Sequence, residues 1–452
     1  MSIEPKFLLK SLYQALMDRP LLSDDPYYLP YMQEDLKGQD PVAQIQTAIE
    51  FSSSESLQMV SGQRGTGKST ELSRLKSNLE NNNFIVFHID MLAYVHTAEP
   101  VDISDFLLAS TLALAEAAER DYQLTQVQEN YFERLKNFLG AEVKLEEVSL
   151  KAETGAFSAD IKTRLKRDDS FRRKLQKQSQ GHISRLVEDT EIFITELVIA
   201  LREKTEDPNK QVVFIIDSFE QIRGTIHNAN DVHNSIVRLF STHGKNLRFP
   251  MIHMVITVPP YLNSAAPGVA TILGATSPIN WPSIHVRNKK GEDDESGIDI
   301  LTKIVSKRTE HINLIFKKAD LRRIAISSGG DLRHMFSIVK DALVINGSNL
   351  ERMEMPIPPD VITQAEDKLR RSMMPITDED VMKLSYVQQS KQAELANIEE
   401  LPELARLFDF NLVINYRNGD DWYDIHPLIA GYVEERKKRL EERQLEEPNT
   451  KE

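Results

Sequence analysis

The sequence predicts a mixed α/β protein whose core is a parallel β-sheet. Two apolar strands, at 57–61 and 84–90, flank a glycine-rich turn and a polar-faced helix over 68–81. A helix that joins two strands in this order is the crossover that parallel strands require. The chain has 452 residues, which corresponds to about three domains and is long enough for a sizeable core.

The composition excludes several classes of protein. The chain has no cysteine, which excludes disulfides, thiolate zinc sites, iron–sulfur clusters and cysteine nucleophiles. With 69 acidic and 55 basic side chains, its net charge is −14, which disfavours general nucleic-acid binding. No apolar run approaches the ~20 residues of a membrane helix, and the first residues do not resemble a signal peptide. We therefore expect a cytoplasmic protein with no membrane partner.

The remaining elements follow from the spacing of apolar residues. Helical spacing predicts further helices, over 7–18, 40–51, 103–121, 125–139 and 168–205. Between the first two helices, the tyrosines at 27, 28 and 31 either pack in the protein interior or border the base of a bound ligand. The third core strand comes only at 212–216, so we interpret about 122–200, with an alternating part at 142–162, as a helical and β insertion that projects from the core.

The second half of the chain begins with strands and continues mainly as helices. A strand at 252–258 and a short one at 283–286 are expected to complete the sheet. The pattern from 297 to 372 is helical, with a break at a glycine pair. The segment 377–433 is predicted to contain helices followed by a hairpin whose turn is Asn418-Gly419. The segment 434–447 is predicted to form a charged helix.

One segment predicts a phosphate-binding loop. It matches G-x-x-x-x-G-K-[ST] between a strand and a helix, and its candidate contacts are Gly62, Gln63, Arg64, Gly65, Thr66, Gly67, Lys68, Ser69 and Thr70. The glycines let backbone N–H groups surround phosphate oxygens at the helix N-terminus. Lys68 is expected to reach the β- and γ-phosphates, and the Ser69 hydroxyl to bind Mg²⁺. The sequence therefore predicts ATP or ADP with Mg²⁺ as cofactors.

Two acids follow the third core strand. Asp217 comes directly after five apolar residues and is the predicted second metal ligand, the Walker B acid. Glu220 lies three residues later and is the candidate that orients or deprotonates the attacking water. The alternatives are an ordinary strand-end acid for Asp217 and an exposed loop acid for Glu220.

Together with Thr257 at the tip of the next strand and the segment 328–333 (Ser-Gly-Gly-Asp-Leu-Arg), these motifs resemble the AAA+ ATPases, particularly the origin-recognition and cell-division-control branch. The resemblance implies that Thr257 is sensor 1 and that Arg333, on a helical lid, is sensor 2 and contacts the phosphates. The alternatives are a plain strand-end threonine and a surface arginine.

The C-terminal part is similar to the winged helix of the STAND ATPases. A helix over 401–410, the hairpin, and then His426 carry this similarity, with Pro427 where an acid is usual. The resemblance implies that His426 senses the diphosphate; the alternative is a structural histidine. The predicted domains are an N-terminal helical segment, a P-loop ATPase core, a helical lid, a winged helix and a charged tail, over 1–34, 35–290, 291–375, 376–433 and 434–452.

The resemblance implies a slow ATPase that switches a separately encoded effector, in signalling or antiphage defence, and forms nucleotide-dependent homo-oligomers. Hydrolysis is expected to be slow unless Arg248, Arg287 or a partner supplies an arginine finger, because 249–286 contains no Arg or Lys. The alternative is an initiator- or transposition-regulator-like ATPase that binds nucleic acid through the winged helix and the basic segment 162–177, with eight cations and two acids. A third reading is a scaffold that binds ATP without turnover.

Overall fold

The computed structural model describes residues 4–17, 19–32, 40–139, 154–225, 227–262, 268–269, 271, 277–348, 353–394, 397–418 and 420–446. The chain divides into two compact units. The first unit comprises 1–41, 62–71 and 280–452, and the second comprises 42–61 and 72–279. The phosphate loop therefore groups with the C-terminal half of the chain.

The sheet of the protein has five strands, in the order β2-β3-β4-β1-β5. In chain order, they are Ser56–Gly62, Ile85–Asp90, Val212–Asp217, Ile252–Val258 and Ile279–Trp281. The pairs β1–β4, β2–β3 and β3–β4 are parallel. The predicted α/β class with a parallel sheet is confirmed, and the parallel strands bring the ends of β1, β3 and β4 to one edge.

The expected edge strand at 283–286 was wrong. The fifth strand is Ile279–Trp281, and the segment after it bonds elsewhere in the first unit. Ser283 N–H donates to Asn415 O at 2.9 Å, and Ile284 N–H donates to Gly330 O at 3.2 Å. Its backbone groups are therefore used by the C-terminal half of the chain rather than by a sheet ladder.

The second unit surrounds four strands with helices. Those that lie wholly or partly in it are α2 to α8, at Pro41–Phe51, Lys68–Asn81, Ile103–Tyr122, Thr125–Leu139, Thr154–Arg167, Asp169–Lys204 and Ala229–Thr242. Helix α4 begins at a capping box in which Asp102 and Asp105 each accept from the other end of the first turn. The long helix α7 is interrupted at His182, where φ is −140°.

The predicted projecting insertion needs correction. Its described helices α5, α6 and α7 bury Tyr131, Ile161 and Phe193 in the same hydrophobic cluster as the sheet residues Phe214 and Met254. The alternating part at 142–162 lies partly outside the described residues, and its described end is the helix α6 rather than a strand. Amphipathic helices of this length bury their apolar faces, and here α4 and the other insertion helices provide the partner surfaces.

The first unit is mainly helical. Its helices are α1 and α9 to α16, at Pro5–Ala15, Glu295–Ser306, Ile312–Ile315, Lys318–Ser327, Leu332–Ser348, Pro359–Ser372, Asp378–Ser390, Leu401–Asp409 and Pro427–Glu446. The predicted hairpin is present as β6 and β7, Val413–Asn418 and Asp420–Ile425, paired antiparallel. Its two strands are joined on one face by the cross-strand pair Tyr416 and Trp422, whose ring centroids are 4.7 Å apart. No helix among the described residues is long and apolar enough to cross a membrane.

Candidate functional site

The phosphate loop of the first unit follows β1 directly and ends where α3 begins at Lys68. Gly65 and Gly67 have φ values of +87° and +80°, a conformation that residues with a Cβ rarely adopt. The Lys68 ammonium is buried, and it donates to Gly62 O at 2.9 Å and Gln63 O at 2.6 Å. These two carbonyl oxygens therefore stabilise the positive charge of Lys68, which is the charge that would attract a phosphate.

Gln63 joins this loop to the C-terminal hairpin. Its side-chain amide donates to Val413 O, and its Oε1 accepts from Asn415 N–H at 3.0 Å. The two partners are alternate residues of β6, so the glutamine amide bonds to this strand as a neighbouring peptide group would. Sequence analysis included Gln63 only as a loop residue. No local signal identifies its partners, since they lie about 350 positions away.

Asp331 connects the loop to the start of the lid helix α12. Its carboxylate accepts from His334 N–H at 2.8 Å and from the Asn411 amide at 3.2 Å. The next residue, Leu332, donates its N–H to Gly65 O at 3.1 Å. A Cβ on Gly65 would come within 2.4 Å of both Asp331 carboxylate oxygens. The lid helix therefore begins in direct contact with the loop.

Arg333, the predicted sensor 2, is half-buried in the first turn of α12. Its neighbour Leu332 contacts the loop backbone. A guanidinium in this turn is suited to bidentate contact with phosphate oxygens. Its role stays a prediction.

His426 lies beside the same lid helix and is fully buried. Its Nε2 is 3.0 Å from Nδ1 of His334, and its backbone N–H donates to Leu412 O at 2.9 Å. Burial and the neighbouring His334 hold the pKa of His426 well below its ordinary value of 6.5. A neutral His426 can share one proton with His334, and its predicted contact with a diphosphate stays a prediction.

The N-terminal tyrosines contact the loop and the helix after it. Tyr31 donates from its hydroxyl to Thr66 O, and Tyr28 donates to Glu71 Oε1 at 2.8 Å. Both side chains are buried. These hydrogen bonds correspond to the packing alternative for the tyrosines rather than to a base contact.

In the second unit, Asp217 ends β3 and is buried. Its Oδ1 accepts from Ser218 N–H at 2.7 Å, and its Oδ2 is 3.4 Å from Nε2 of His88. Ser218 adopts a left-handed φ of +67°, so the chain turns sharply after the acid. His88 was missed by sequence analysis; the available signal was a histidine inside an apolar strand.

Thr257, the predicted sensor 1, holds the turn after Asp217. Its hydroxyl oxygen accepts from Phe219 N–H at 3.0 Å, and the hydroxyl is 3.4 Å from Ile216 O. The turn that it holds carries Glu220, which is buried rather than exposed. The exposed-loop alternative for Glu220 is therefore wrong, and the Thr257 hydroxyl contacts the backbone of the turn.

The metal-ligand chemistry fits magnesium. No group of three or more His, Asp or Glu residues able to hold a metal occurs among the described parts of the chain. Mg²⁺ needs no such group, because it keeps several waters and uses one or two protein oxygens with the phosphates. The Ser69 hydroxyl and the Asp217 carboxylate are donors of this kind.

One candidate source of an arginine finger is already engaged. The Arg248 guanidinium lies 3.7 Å from Glu55 Oε1 within the second unit. Arg248 would have to leave this ion pair before its guanidinium could contact a phosphate. Arg287 lies at the isolated bridge to Asp293 in the first unit.

Comparison with known proteins gives only distant similarity. No family model and no curated protein matches the chain. Among solved structures, it is similar to the Aeropyrum pernix ORC1 protein in complex with DNA, with 12% identity, 95% of this chain and 98% of that chain covered, and a TM-score of 0.36. The A. pernix ORC2 protein with ADPNP and ADP shows 10% identity, 94% and 99% coverage, and a TM-score of 0.39. A Walker-type ATPase of Pyrococcus abyssi shows 12% identity, 93% and 99% coverage, and a TM-score of 0.42. The function proposed below therefore rests on this chain's own residues.

Proposed function

We propose that this protein is an ATP-dependent switch that binds ATP–Mg²⁺ at 62–70 and hydrolyses it slowly. The observation that carries the proposal is the pair of hydrogen bonds between Gln63 and β6. They attach the C-terminal hairpin to a loop whose sequence is that of a phosphate binder. A ligand that changes the conformation of the loop also acts on the hairpin through these two hydrogen bonds. A contact that differs between the liganded and the unliganded state is what a shift between two conformations requires.

The residues divide the chemistry among them. Lys68 and the loop N–H groups bind the phosphates, and the oxygens of Ser69 and Asp217 hold the metal ion. Glu220 orients the attacking water or accepts its proton, and Thr257 keeps the turn of Glu220 in place. Arg333 draws the lid to the γ-phosphate. Mg²⁺, when bound, neutralises charge on the phosphates.

The decisive experiment measures binding and turnover separately. We expect Lys68→Ala to lose binding of a fluorescent ATP analogue at least 100-fold, because it removes the cation that is predicted to reach the β- and γ-phosphates. Glu220→Gln is expected to keep binding but to lower ADP release at least 100-fold, in line with the 10²–10⁴ contribution of a general base.

Lys76→Ala is the matched control, since this partly exposed lysine of α3 pairs with Glu80 and donates to Val86 O, and ATP binding should be unchanged. Retained affinity in Lys68→Ala would overturn the assignment of the loop. Equal ADP release by the wild type and Glu220→Gln would instead favour a scaffold without turnover.

The output of the switch, by this proposal, is a separate partner protein, as the STAND resemblance implies for signalling or antiphage defence. The winged-helix assignment of 376–433, the sensing role of His426 and the nucleotide-dependent homo-oligomer belong to the same proposal. Mass measurement with ADP and with a non-hydrolysable ATP analogue tests the last of these: one unchanged mass in both states would contradict it.

A second candidate function, binding of nucleic acid, is favoured by one observation in the basic segment. Three of its eight cations pair with carboxylates: Lys162 with Glu116, Arg164 with Asp160, and Arg172 with Asp169. The other five are exposed and have no carboxylate partner within the described residues, namely Lys166, Arg167, Arg173, Lys174 and Lys177. These five exposed cations lie around the junction of α6 and α7 and can contact phosphates.

Salt dependence tests this candidate. Contact with five phosphates predicts a log–log salt slope of about −4 to −5 for duplex DNA. Lys174→Glu with Lys177→Glu should weaken binding and flatten the slope, whereas Lys289→Glu with Lys290→Glu, exposed lysines of the first unit, should not. If no DNA binds at low salt with ATP present, this candidate is excluded.

A further inference from the structure

A cavity of about 480 Å³ opens between two helices of the first unit, α14 and α15. We call it the C-terminal groove. Helix α14 contributes Met382, Tyr386 and Val387, and helix α15 contributes Leu404 and Leu407. Its volume lies within the range of about 300–1,000 Å³ that binding pockets occupy.

The groove has an apolar floor and an apolar lip. Val387, Leu404 and Leu407 are buried and form the floor. Met382 and Tyr386, one helical turn apart on α14, are 48% and 51% exposed. Single exposed apolar residues are normal on a protein surface, but two of them beside one cavity mark an interaction site.

The rim of the groove is acidic. Lys383 pairs with Glu403 and lies 3.6 Å from Glu400, so its charge is already used. Glu394 also lines the groove, is exposed, and has no cationic partner among the described residues. Two lining glutamates, Glu394 and Glu400, and one lysine that already pairs with Glu403 repel a polyanion and attract a cation. The occupant that fits is therefore apolar along one face and basic beside it.

We propose that the C-terminal groove binds a basic amphipathic helix of a partner protein. Helix α14 has 13 residues, or about 20 Å at 1.5 Å per residue, so the occupant spans three to four turns. Its apolar residues at i and i+4 contact Met382 and Tyr386, and a Lys or Arg beside them pairs with Glu394. This inference states which chemistry the partner protein of the proposed switch has. It rests on the proposal that the switch acts on a separate partner protein.

The test uses the whole chain and two synthetic 14-residue helical peptides. Both carry the same leucines at i, i+4, i+7 and i+11; one has flanking lysines and the other flanking glutamates. Fluorescence anisotropy should show micromolar binding of the basic peptide and at least tenfold weaker binding of the acidic one. Tyr386→Ser and Glu394→Lys should each weaken binding of the basic peptide at least fivefold. Glu394→Lys should also reduce the difference in affinity between the basic and the acidic peptide.

Val344→Ser is the control, because Val344 is equally exposed, at 51%, on the lid helix. Binding of neither peptide, or equal binding of both, would overturn the proposal. ATP-analogue binding is measured on the same variants. Tyr386→Ser should leave it unchanged, so a failure at the groove is distinct from a failure of the phosphate loop.

Discussion

The two units hold their predicted nucleotide-binding residues in different ways. In the first unit, the phosphate loop bonds to residues far along the chain: Gln63 contacts Asn415, and Gly65 contacts Leu332. In the second, Asp217 bonds to His88 on the neighbouring strand, and Thr257 bonds to Phe219 in the turn directly after β3. Contacts between distant elements break when those elements move, whereas contacts inside a sheet persist. We infer that conformational response belongs to the first unit and fixed chemistry to the second.

The largest expected effect tests how tightly the lid of the first unit is built. Gly330 has a φ of +84°, and a Cβ there would lie 1.8 Å from Ile284 O. We expect Gly330→Ala to lower the free energy of unfolding by about 3–5 kcal/mol, from strain and a backbone clash together. Urea unfolding measures this change.

The control is Gly431→Ala on α16, where a Cβ meets nothing within 4 Å. There the same substitution should raise stability by about 0.5–1 kcal/mol, because alanine favours the helix. A similar effect at both glycines would mean that the lid contact is loose.

The next prediction concerns the contact that distinguishes the first unit. Gln63→Ala removes both bonds to β6 and leaves two buried backbone groups without this partner, which costs about 2–3 kcal/mol locally. Hydrogen exchange at the Asn415 amide should accelerate by about 30- to 100-fold. The Arg417 amide, which donates to His285 Nε2 at 2.9 Å, is the internal reference and should change little.

The equivalent change in the second unit is Thr257→Val, which exposes the Phe219 amide to exchange. ATP analogue should alter exchange at Asn415 in the wild type but not at Phe219. If nucleotide changed both amides equally, the division between a responsive and a fixed unit would be wrong.

The smallest effect compares one buried histidine from each unit. Burial lowers the pKa of His253 to about 4, and the pKa of His426 is also well below 6.5. Each therefore stays neutral in the fold while the unfolded chain takes up a proton below pH 6.5. Stability is present above that pH and falls by about 1.4 kcal/mol per histidine between pH 7.5 and 5.5.

His253→Gln and His426→Gln should each reduce this pH dependence by about that amount, measured as the free energy of unfolding at several pH values. Replacing an exposed histidine, His227, is the control and should leave the slope unchanged. An unaltered slope in either buried variant would show that the histidine binds protons equally in the folded and the unfolded chain, and would contradict the lowered pKa.

Local patterns were enough to predict four of the five described sheet strands and the glycine-rich turn between β1 and α3. The apolar run before Asp217 and the glycines before Lys68 each act through near neighbours. The partners of Gln63, Asp331 and His426 depend on how the C-terminal half of the chain packs, and no local pattern encodes that. The insertion was misjudged for the same reason, since an amphipathic helix shows that it buries a face but not against what.

The grouping of the loop with the C-terminal half has a practical consequence for dissecting the protein. A fragment that ends near residue 279 would contain the whole Walker A sequence and both strand-end acids. It would lack Asp331, Leu332, Val413 and Asn415, the residues of the C-terminal half that bond to or pack against the loop. Such a fragment would read as a complete ATPase by its motifs, yet its phosphate loop would have lost the contacts that define its shape.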